Sequence, residues 1–406
     1  MRVLFAIAVI VSIALTGSSV SASSWLPDGG LSGHTINALI VNKGALFAGT
    51  SDSGVYRSSD KGQSWLAINA GLTDVAITSL TAKDGFLFAG TVSGGVFRSA
   101  DSGRNWLPVN TGISSTNIKA LAANNTCIFA GTGGGGVCRS TDYGTNWLEV
   151  NKLEDGTDIH FKNIFSFGVT ADYVFIGTWG GSAFRSADNG TVWYMVTNGM
   201  ADPRENQIPR CFAVLDSFIF AGLDGAGMLR AKDSARIWFT VNTGLPESTS
   251  VTALAVFKNS LYAATHKGVF NSTDNGNTWS AVNTGLSTTP VYTFASIDTT
   301  LFAGTSNGIW QFNSDLLPTK TVRLTQAVDP LLQSKFLSLS GSAITYQTGT
   351  QLSGIVTVCS PNGAIVISKK VMGIGTINFN RQELAKGLYI IQLQVGQWQD
   401  HRMLFR

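Results

Sequence analysis

The chain has 406 residues and a formal net charge of +3, and only 13% of its residues are charged, against roughly 25% in ordinary soluble domains. A hydrophobic content of 44% excludes an intrinsically disordered chain, and so small a net charge excludes the basic surface that binds nucleic acid. The 45 Gly and 10 Trp residues, with few Glu and Lys to cover helix surfaces, favour an all-β protein of one large or two ordinary domains.

Residues 1–22 have the pattern of a secretory signal peptide. A basic Met1-Arg2 head precedes the apolar run Val3–Leu15, and Val20-Ser21-Ala22 offers small residues where a signal peptidase cleaves. A membrane anchor is the alternative, but this apolar run is short for a bilayer span. The sequence therefore predicts an exported chain without an integral membrane segment.

Two strings recur through most of the remaining chain. Phe-Ala-Gly-Thr begins at Phe47, Phe88, Phe129 and Phe302, and Ser-x-Asp-x-Gly-x-x-Trp ends at Trp65, Trp106, Trp147, Trp193 and Trp279. A degenerate copy keeps Asp233 and Trp238 but carries Ala231 and Ala235 in place of Ser and Gly. The six Trp residues stand 41, 41, 46, 45 and 41 residues apart, a period typical of the four short strands of one propeller blade.

The seventh unit is split between the two ends of the repeat region. Residues 302–312 carry its aromatic strand and hairpin, but no motif Trp follows, whereas Trp25-Leu26-Pro27-Asp28 matches Trp106-Leu107-Pro108-Val109. We therefore predict a seven-bladed β-propeller over residues 23–313. Its N-terminal strand would supply the outer strand of the last blade, which removes an open sheet edge.

The string Ser-x-Asp-x-Gly-x-x-Trp resembles the Asp-box, or BNR, repeat of sialidases, xyloglucan hydrolases, sortilin-type receptors and photosystem assembly factors. In such a turn the carboxylate can accept backbone N–H groups, Gly can take a positive φ and Trp can pack beneath. A residue present in every blade cannot supply an asymmetric site. The repeated residues are therefore predicted to be structural: Asp60, Asp101, Asp142, Asp188, Asp274, Trp65, Trp106, Trp147, Trp193, Trp279 and the recurring Arg57, Arg98, Arg139, Arg185 and Arg230.

Four cysteines show no Cys-x-x-Cys pair and no dense disulfide framework, so the sequence predicts no metal site and no cofactor. Cys127 and Cys138 fall on consecutive predicted strands. They either face each other across a hairpin as a disulfide or serve as small buried hydrophobic residues.

A binding site is expected where the repeat loses its symmetry, at the connections around residues 151–160 and 199–209, which are longer than the others. These connections share one face with the hairpins that follow the Phe-Ala-Gly-Thr strings. One variable, often polar, position begins each innermost strand on that face. The candidate ligand-binding residues are Lys119, Trp179, Arg210, Tyr292 and His266, with Trp179 as a stacking surface. Solvated strand ends are the alternative interpretation.

The same face carries carboxylates that a glycoside hydrolase would need as a pair, among them Asp52, Asp155, Asp158, Asp224 and Glu205. A sialidase is the least favoured hydrolase. It needs three non-repeated Arg residues, only Arg204 and Arg210 qualify on this face, and the Arg-Ile-Pro start is absent.

The period stops after Phe312. Residues 314–330 contain Pro318 and Pro330 and are predicted to be a linker, and residues 331–406 contain short alternating segments with a turn at Pro361-Asn362-Gly363. These segments predict a small immunoglobulin-like β-sandwich.

This ending resembles the C-terminal sorting domain of the type IX, or Por, secretion system. The resemblance rests on Val356-Thr357-Val358, the Asn362-Gly363 turn, the string from Leu384 to Ile391 and a final basic strand. It implies passage through the export and outer-membrane secretion machinery, with removal of the domain afterwards. An accessory sandwich is the alternative, and without sorting the protein would stay in the periplasm.

The sequence thus predicts a monomeric, secreted or cell-surface, non-catalytic propeller that binds a glycan, protein or peptide on its loop face. A secreted glycoside hydrolase is the alternative.

Overall fold

The computed structural model describes residues 24–28, 30–200, 207–232, 234–286 and 290–313, together with seven strands between residues 335 and 405. The predicted signal peptide, the linker and the turn at Pro361 lie outside the described residues. The chain divides into two units, residues 1–319 and 320–406. Among the described residues there are strands but no helix, and thus no helix that could cross a membrane.

The first unit is a propeller of seven four-stranded antiparallel sheets. It begins with β1 (Ser24–Asp28). Blades one to three contain β2 (Ile36–Asn42), β3 (Ala45–Thr50), β4 (Val55–Ser58), β5 (Leu66–Ala67), β6 (Ile77–Lys83), β7 (Phe86–Thr91), β8 (Val96–Ser99), β9 (Leu107–Pro108), β10 (Ile118–Ala123), β11 (Ile128–Thr132), β12 (Val137–Ser140) and β13 (Leu148–Glu149).

Blades four to six contain β14 (Ile164–Val169), β15 (Val174–Thr178), β16 (Ala183–Ser186), β17 (Tyr194–Met195), β18 (Pro209–Leu215), β19 (Phe218–Leu223), β20 (Gly227–Lys232), β21 (Phe239–Thr240), β22 (Val251–Phe257), β23 (Ser260–Thr265), β24 (Gly268–Ser272) and β25 (Ser280–Ala281). Blade seven contains β26 (Val291–Ile297), β27 (Thr300–Thr305) and β28 (Gly308–Asn313), and β1 completes it.

The predicted closure by the N-terminal strand is confirmed. Strand β1 pairs antiparallel with β28, so that Trp25 lies opposite Phe312 and Asp28 opposite Ile309. The innermost strands of neighbouring blades contact one another in a closed ring, including the last with the first. The seven-bladed, all-β prediction for this part of the chain is therefore confirmed.

The core lies between the faces of adjacent blades. Every residue of β3 is buried, and Phe47 of blade one packs in the same cluster as Ile77 and Trp106 of blade two. Close packing needs Gly49 at this interface, because a Cβ there would lie 2.5 Å from a methyl carbon of Ile77. Strands buried on both faces explain the scarcity of charged residues.

Each repeated Ser-x-Asp string forms a tight turn between the third and fourth strands. In blade one, the Ser58 hydroxyl donates to Asp60, which also accepts the backbone N–H and hydroxyl of Ser64. The Ser64 side chain, the Ser64 backbone and the Ser58 side chain together lower the pKa of Asp60 to about 2. Two consecutive residues adopt positive φ, Lys61 (60°) and Gly62 (92°), where the motif alone suggested only Gly.

The equivalent turns of the other intact copies share two of these bonds. The carboxylates of Asp101, Asp142, Asp188 and Asp274 each accept a hydroxyl from the Ser two residues earlier and a backbone N–H four residues later. The preceding Arg side chains join neighbouring blades, since Arg98 donates to the Tyr143 carbonyl and Arg139 to the Asn189 carbonyl, each at 2.8 Å.

The motif Trp residues also bind the blades together. The indole Nε1 of Trp106 donates to the Ile68 carbonyl of blade one at 2.7 Å, and Trp25, Trp147, Trp193, Trp238 and Trp279 make the equivalent bond to the preceding blade. Trp65 differs, because its Nε1 lies 3.4 Å from the Asp28 carboxylate instead. The seam between blades seven and one is therefore chemically distinct.

The disulfide alternative for Cys127 and Cys138 is wrong. Both thiols are free and buried, and they lie in two different core clusters. Cys127 packs with Phe129, whereas Cys138 packs with Ile128. Side chains alternate along a strand, so the two cysteines project to opposite faces of the sheet. Burial raises the pKa of the Cys138 thiol.

The second unit contains two antiparallel sheets. One is formed by β29 (Lys335–Ser340), β30 (Ala343–Thr348) and β33 (Ile374–Asn378). The other is formed by β31 (Ser353–Cys359), β32 (Ile365–Met372), β34 (Leu388–Val395) and β35 (Trp398–Phe405), in the order β32-β31-β34-β35. The immunoglobulin-like arrangement stays a prediction.

Candidate functional site

The propeller has two chemically different ends. The Ser-x-Asp turns lie at one end, here called the turn face. The hairpins between the second and third strands of each blade, such as residues 51–54, lie at the other end with the blade-to-blade connections. This second end is called the loop face. It carries all five ligand-binding residues predicted from the sequence.

A β-bulge places one side chain of each innermost strand at the loop face. The strand register shifts at the same point in all seven blades, for example between Ile36 and Ala38, and leaves one residue unpaired. Such a bulge re-aims the side chain of the extra residue. The seven bulge residues are Asn37, Thr78, Lys119, Phe165, Arg210, Thr252 and Tyr292.

The short bulge residues connect neighbouring blades. Asn37 Nδ2 donates to the Ile77 carbonyl at 2.9 Å, and the Thr78 hydroxyl donates to the Ile118 carbonyl at 2.8 Å. Thr252 makes the corresponding bond to the next blade, at 2.7 Å. These three side chains are held by the scaffold.

Three of the four long bulge residues occur together in blades three, four and five, and the fourth, Tyr292, lies in blade seven. Lys119, Phe165 and Arg210 occupy consecutive blades, and the two extended connections join the same three blades. The Arg210 guanidinium lies 4.8 Å from the centre of the Phe165 ring. The loss of symmetry in the bulge residues therefore coincides with the loss of symmetry in the connections.

Arg210 is also held by a carboxylate. Its Nε and Nη2 donate to Asp224 Oδ2 at 3.2 and 2.7 Å, and both side chains are about one-third exposed, at 34% and 38%. Partial burial raises the pKa of Asp224, but hydrogen bonds from Arg210 and Ser250 and the charge of Arg210 outweigh it, so the pKa is lowered overall. The pair is ionised at neutral pH, which fixes the guanidinium plane.

An aromatic surface lies beside this ion pair. The Trp179 ring is 48% exposed, and its centre lies 5.8 Å from that of Phe165. Phe161 is 43% exposed and approaches Gly180, where an added Cβ would lie 2.9 Å from the ring. Exposed aromatic rings fixed in this way offer flat contact area to a ligand.

His266 is linked to Arg210 through two intermediates. The Ser250 hydroxyl donates to Asp224 Oδ1 at 2.8 Å, and the Ser250 backbone N–H donates to His266 Nδ1 at 3.2 Å. Trp179, Arg210 and His266 thus belong to one contiguous group of side chains.

Lys119 and Tyr292 lie farther around the ring. The aliphatic stem of Lys119 approaches Gly133, which forms a β-bridge with Asn163. The Asn163 carbonyl in turn accepts the backbone N–H of Trp179. Lys119 is therefore close to the aromatic surface. Tyr292 is 38% exposed in blade seven and is separated from Arg210 by the tied residue Thr252.

Ion pairs anchor the connection between blades three and four. Asp158 contacts the ammonium groups of Lys152 and Lys162, each at 2.9 Å, and these contacts lower its pKa to about 2. The Lys162 carbonyl accepts the N–H groups of Gly134 and Gly136 from the neighbouring hairpin. The connection is thus fixed over blade three.

The loop-face carboxylates with a resolved pKa change are all more acidic than usual. These are Asp74, Asp155, Asp158 and Asp224. A general acid needs the opposite change. Within the described part of the chain, no three His, Cys, Asp or Glu side chains are grouped so as to hold a metal ion. Asp202, Arg204 and Glu205 lie outside the described residues.

Three residues of this group were not among the predicted ligand-binding residues. Phe165 and Asp224 join Trp179 to Arg210 and His266, and Ser250 completes the chain. The sequence did contain a signal for Phe165, because this residue occupies the same variable repeat position as Arg210. The pairing of Arg210 with Asp224 across 14 residues depends on the hairpin between β18 and β19 and leaves no mark in the repeat pattern.

No known family model matches the chain, and no curated protein matches it. Among solved structures it is similar to YCF48 bound to D1 peptide, with a TM-score of 0.57 and 14% identity over 76% of this chain and 97% of that one. It is also similar to PorZ, a bacterial surface component of the type-IX secretion system of Porphyromonas gingivalis, with a TM-score of 0.52 and 14% identity over 91% and 59%.

A third similar structure is the GH74 xyloglucanase from Xanthomonas campestris, with a TM-score of 0.53 and 16% identity over 80% of this chain and 60% of that one. The chain thus spans about 60% of the length of PorZ and of the xyloglucanase. At these identities the likeness shows a shared propeller fold and leaves the chemistry to the residues themselves.

Proposed function

We propose that this protein is a secreted or cell-surface, non-catalytic propeller that binds a glycan, protein or peptide on its loop face. The binding surface comprises Trp179, Arg210, Lys119 and Phe165 in blades three to five, with His266 at its edge and Tyr292 farther around the ring. One observation carries the proposal. Three of the four long bulge side chains stand in the same three blades that the extended connections join.

The chemistry of this surface suits a ligand with a flat apolar face and polar edges. Trp179 and Phe161 would contact that face, and Arg210, fixed by Asp224, would donate hydrogen bonds from its remaining N–H groups. A sugar ring or a planar peptide side chain has this character. The printed name of one similar structure, YCF48 bound to D1 peptide, supports the peptide option.

The test is a glycan and peptide array probed with the full-length protein, followed by titration of the best ligand. Arg210→Ala and Trp179→Ala should each raise the Kd about tenfold or more, because each removes a central contact. Thr78→Ala is the matched control, since it alters a bulge residue of the tied group and should leave the Kd within about twofold. An unchanged Kd in Arg210→Ala would exclude this surface as the binding site.

A glycoside hydrolase is the second candidate, supported by the propeller likeness to a GH74 xyloglucanase. It requires a carboxyl group with a raised pKa beside a second carboxylate. The lowered pKa of Asp155, Asp158 and Asp224 favours the binding role instead. Release of reducing sugar from a plant and host polysaccharide panel, abolished by Asp224→Asn, would reverse this preference.

We further propose that the Ser-x-Asp turns are Asp-box turns with a purely structural role. Their hydrogen bonds recur from blade to blade. Asp101→Asn should therefore lower the melting temperature of the propeller and leave ligand affinity unchanged. A selective loss of affinity would contradict the assignment.

For export we propose a signal peptide at residues 1–22 and a type IX sorting domain at residues 331–406. The likeness to PorZ, a surface component of that system, supports an extracellular or surface location. Mass spectrometry of cells and culture medium tests the proposal. Mature protein ending before about residue 331 is expected outside the cell, and full-length protein retained in the periplasm would contradict sorting.

A further inference from the structure

The degenerate turn of blade five borders a cleft near the turn face. The cleft has a volume of about 510 Å³, and its lining includes Phe218, Lys232, Arg236, Ile237 and Phe239. Small-molecule sites typically have volumes of roughly 300–1,000 Å³. The cleft is separate from the loop-face residues described above.

Two substitutions within the repeat give this cleft its character. Lys232 occupies the position next to the motif Ser, where the five intact copies carry small residues: Ser59, Ala100, Thr141, Ala187 and Thr273. Ile237 precedes the motif Trp, where Ser64, Asn105 and Thr278 bind the turn carboxylate with their side chains. The degenerate turn has therefore gained a cation and lost a polar side chain.

The apolar part of the cleft is open to solvent. Ile237 is 49% exposed and Phe239 is 61% exposed. Phe218 lies across the strand pair from Lys232, with the Lys232 ammonium 6.0 Å from its ring centre. These exposed apolar side chains offer a surface that the apolar part of a ligand can cover.

Among the described residues, no ion pair holds Lys232 or Arg236, whereas the scaffold holds a third cation of the cleft. Arg230 stacks on Phe218, and its Nη1 donates to Asn275 and Asn277 of blade six, so this guanidinium belongs to the scaffold. The Lys232 and Arg236 side chains are exposed at the cleft. The cleft thus combines exposed apolar side chains with two exposed cations.

We propose that this cleft binds a small organic anion with an apolar ring or chain. The anionic group would accept charge-assisted hydrogen bonds from Lys232 and Arg236, and the apolar body would cover Ile237 and Phe239. The proposal is independent of the loop-face function. A neutral analogue of the same length would lose the polar contacts and bind weakly.

The experiment is a fluorescence titration of the full chain with anilinonaphthalene sulfonate, followed by competition with decanoate and with decanol. One saturable site per chain is expected, displaced by decanoate and not by decanol. Lys232→Ser, which installs the residue of blade one, and Arg236→Glu should each raise the Kd about tenfold or more. Ile237→Thr, which installs the residue of blade six, should weaken binding of the apolar body.

Arg104→Glu is the matched control, because Arg104 occupies the same repeat position as Arg236 in the intact turn of blade two. It should leave the Kd within about twofold. Unchanged melting temperatures would show that the variants are folded, and Lys232→Ser is the variant least able to disturb the turn. An unchanged Kd in Lys232→Ser and Arg236→Glu, equal weakening by Arg104→Glu, or equal displacement by decanol would overturn the proposal.

Discussion

At the scale of single residues, Asp28 is the clearest departure from the repeat. It is only 9% exposed, and it occupies the position that Ile68, Val109 and Val150 hold in other blades. Burial, with a smaller repulsion from Asp60, raises its pKa to about 6 despite the hydrogen bond from Trp65. The seam that closes the propeller therefore contains a buried carboxyl group, and protonation of this group stabilises the folded state.

The pH dependence of stability follows from this residue. A carboxyl group whose folded pKa is about 6, against 3.8 when unfolded, favours the folded state at low pH, and that contribution is lost as the pH rises from about 4 to 6. Asp28→Val should therefore stabilise the propeller at pH 7, by up to roughly 3 kcal/mol, and flatten the stability profile over this interval. Denaturant midpoints measured from pH 4 to 8 provide the check.

The turn carboxylates supply an internal control for that profile. The pKa values of Asp60 and Asp101 are lowered to about 2, so their stabilisation is present above about pH 4 and is lost only as the pH falls toward 2. Acid destabilisation below pH 4 should therefore persist in Asp28→Val. If the slope between pH 4 and 6 also persists, Asp28 is not its cause.

At the residue scale, the sequence identifies a position when its side chain recurs, or varies between constant neighbours, from blade to blade. It says less about a side chain that meets a unique neighbour. The bulge position was recognisable in every blade, because it varies between constant neighbours such as Ile118 and Ala120. The Asp224 partner of Arg210 was not recognisable as such. Likewise, the sequence spacing of Cys127 and Cys138 did not decide whether they form a disulfide. In the structure they lie on opposite faces of one sheet.

At the scale of elements, β1 is a five-residue strand that completes a blade formed by the far end of the repeat region. Its Trp25 is fully buried, packs 4.9 Å from the ring centre of Phe312, and donates to the Val282 carbonyl at 2.7 Å. Two neighbouring blades thus depend on one side chain of this strand.

Trp25→Ala should destabilise the propeller by about 3–5 kcal/mol, because it leaves a cavity and an unpaired carbonyl. Leu26→Ser is the control on the same strand, since Leu26 is 40% exposed and its replacement should change stability little. Thermal melting of both variants distinguishes the two effects. Similar melting temperatures for the two variants would show that β1 does not hold the blade through Trp25.

At the scale of the whole molecule, the ring of blades is closed because the N-terminal strand β1 belongs to the last blade while the chain continues into the first. Strands β1 and β28 are antiparallel, and Ser24 lies opposite Asn313. Residues 24–28 could therefore be moved in the sequence to follow residue 313 through a short turn. Blade seven would then stay intact, but no chain segment would connect it to blade one. The permuted propeller should keep its strand content and melt at a lower temperature, since the first and last blades are no longer joined covalently. Circular dichroism and limited proteolysis would measure both properties. A permuted form as stable as the original would show that packing between blades suffices.

The sequence by itself determined the number of blades, the split seventh blade and the alternation of aromatic strands and turns. Each of these depends on local periodicity and on a match between the two ends of the repeat region. Only the tertiary structure decided which non-repeated side chains meet: Phe165 with Trp179 and Arg210, Asp224 with Ser250, and Asp28 with Trp65. These contacts join residues of different strands and blades, whose spacing is set by the closed ring and not by any local pattern.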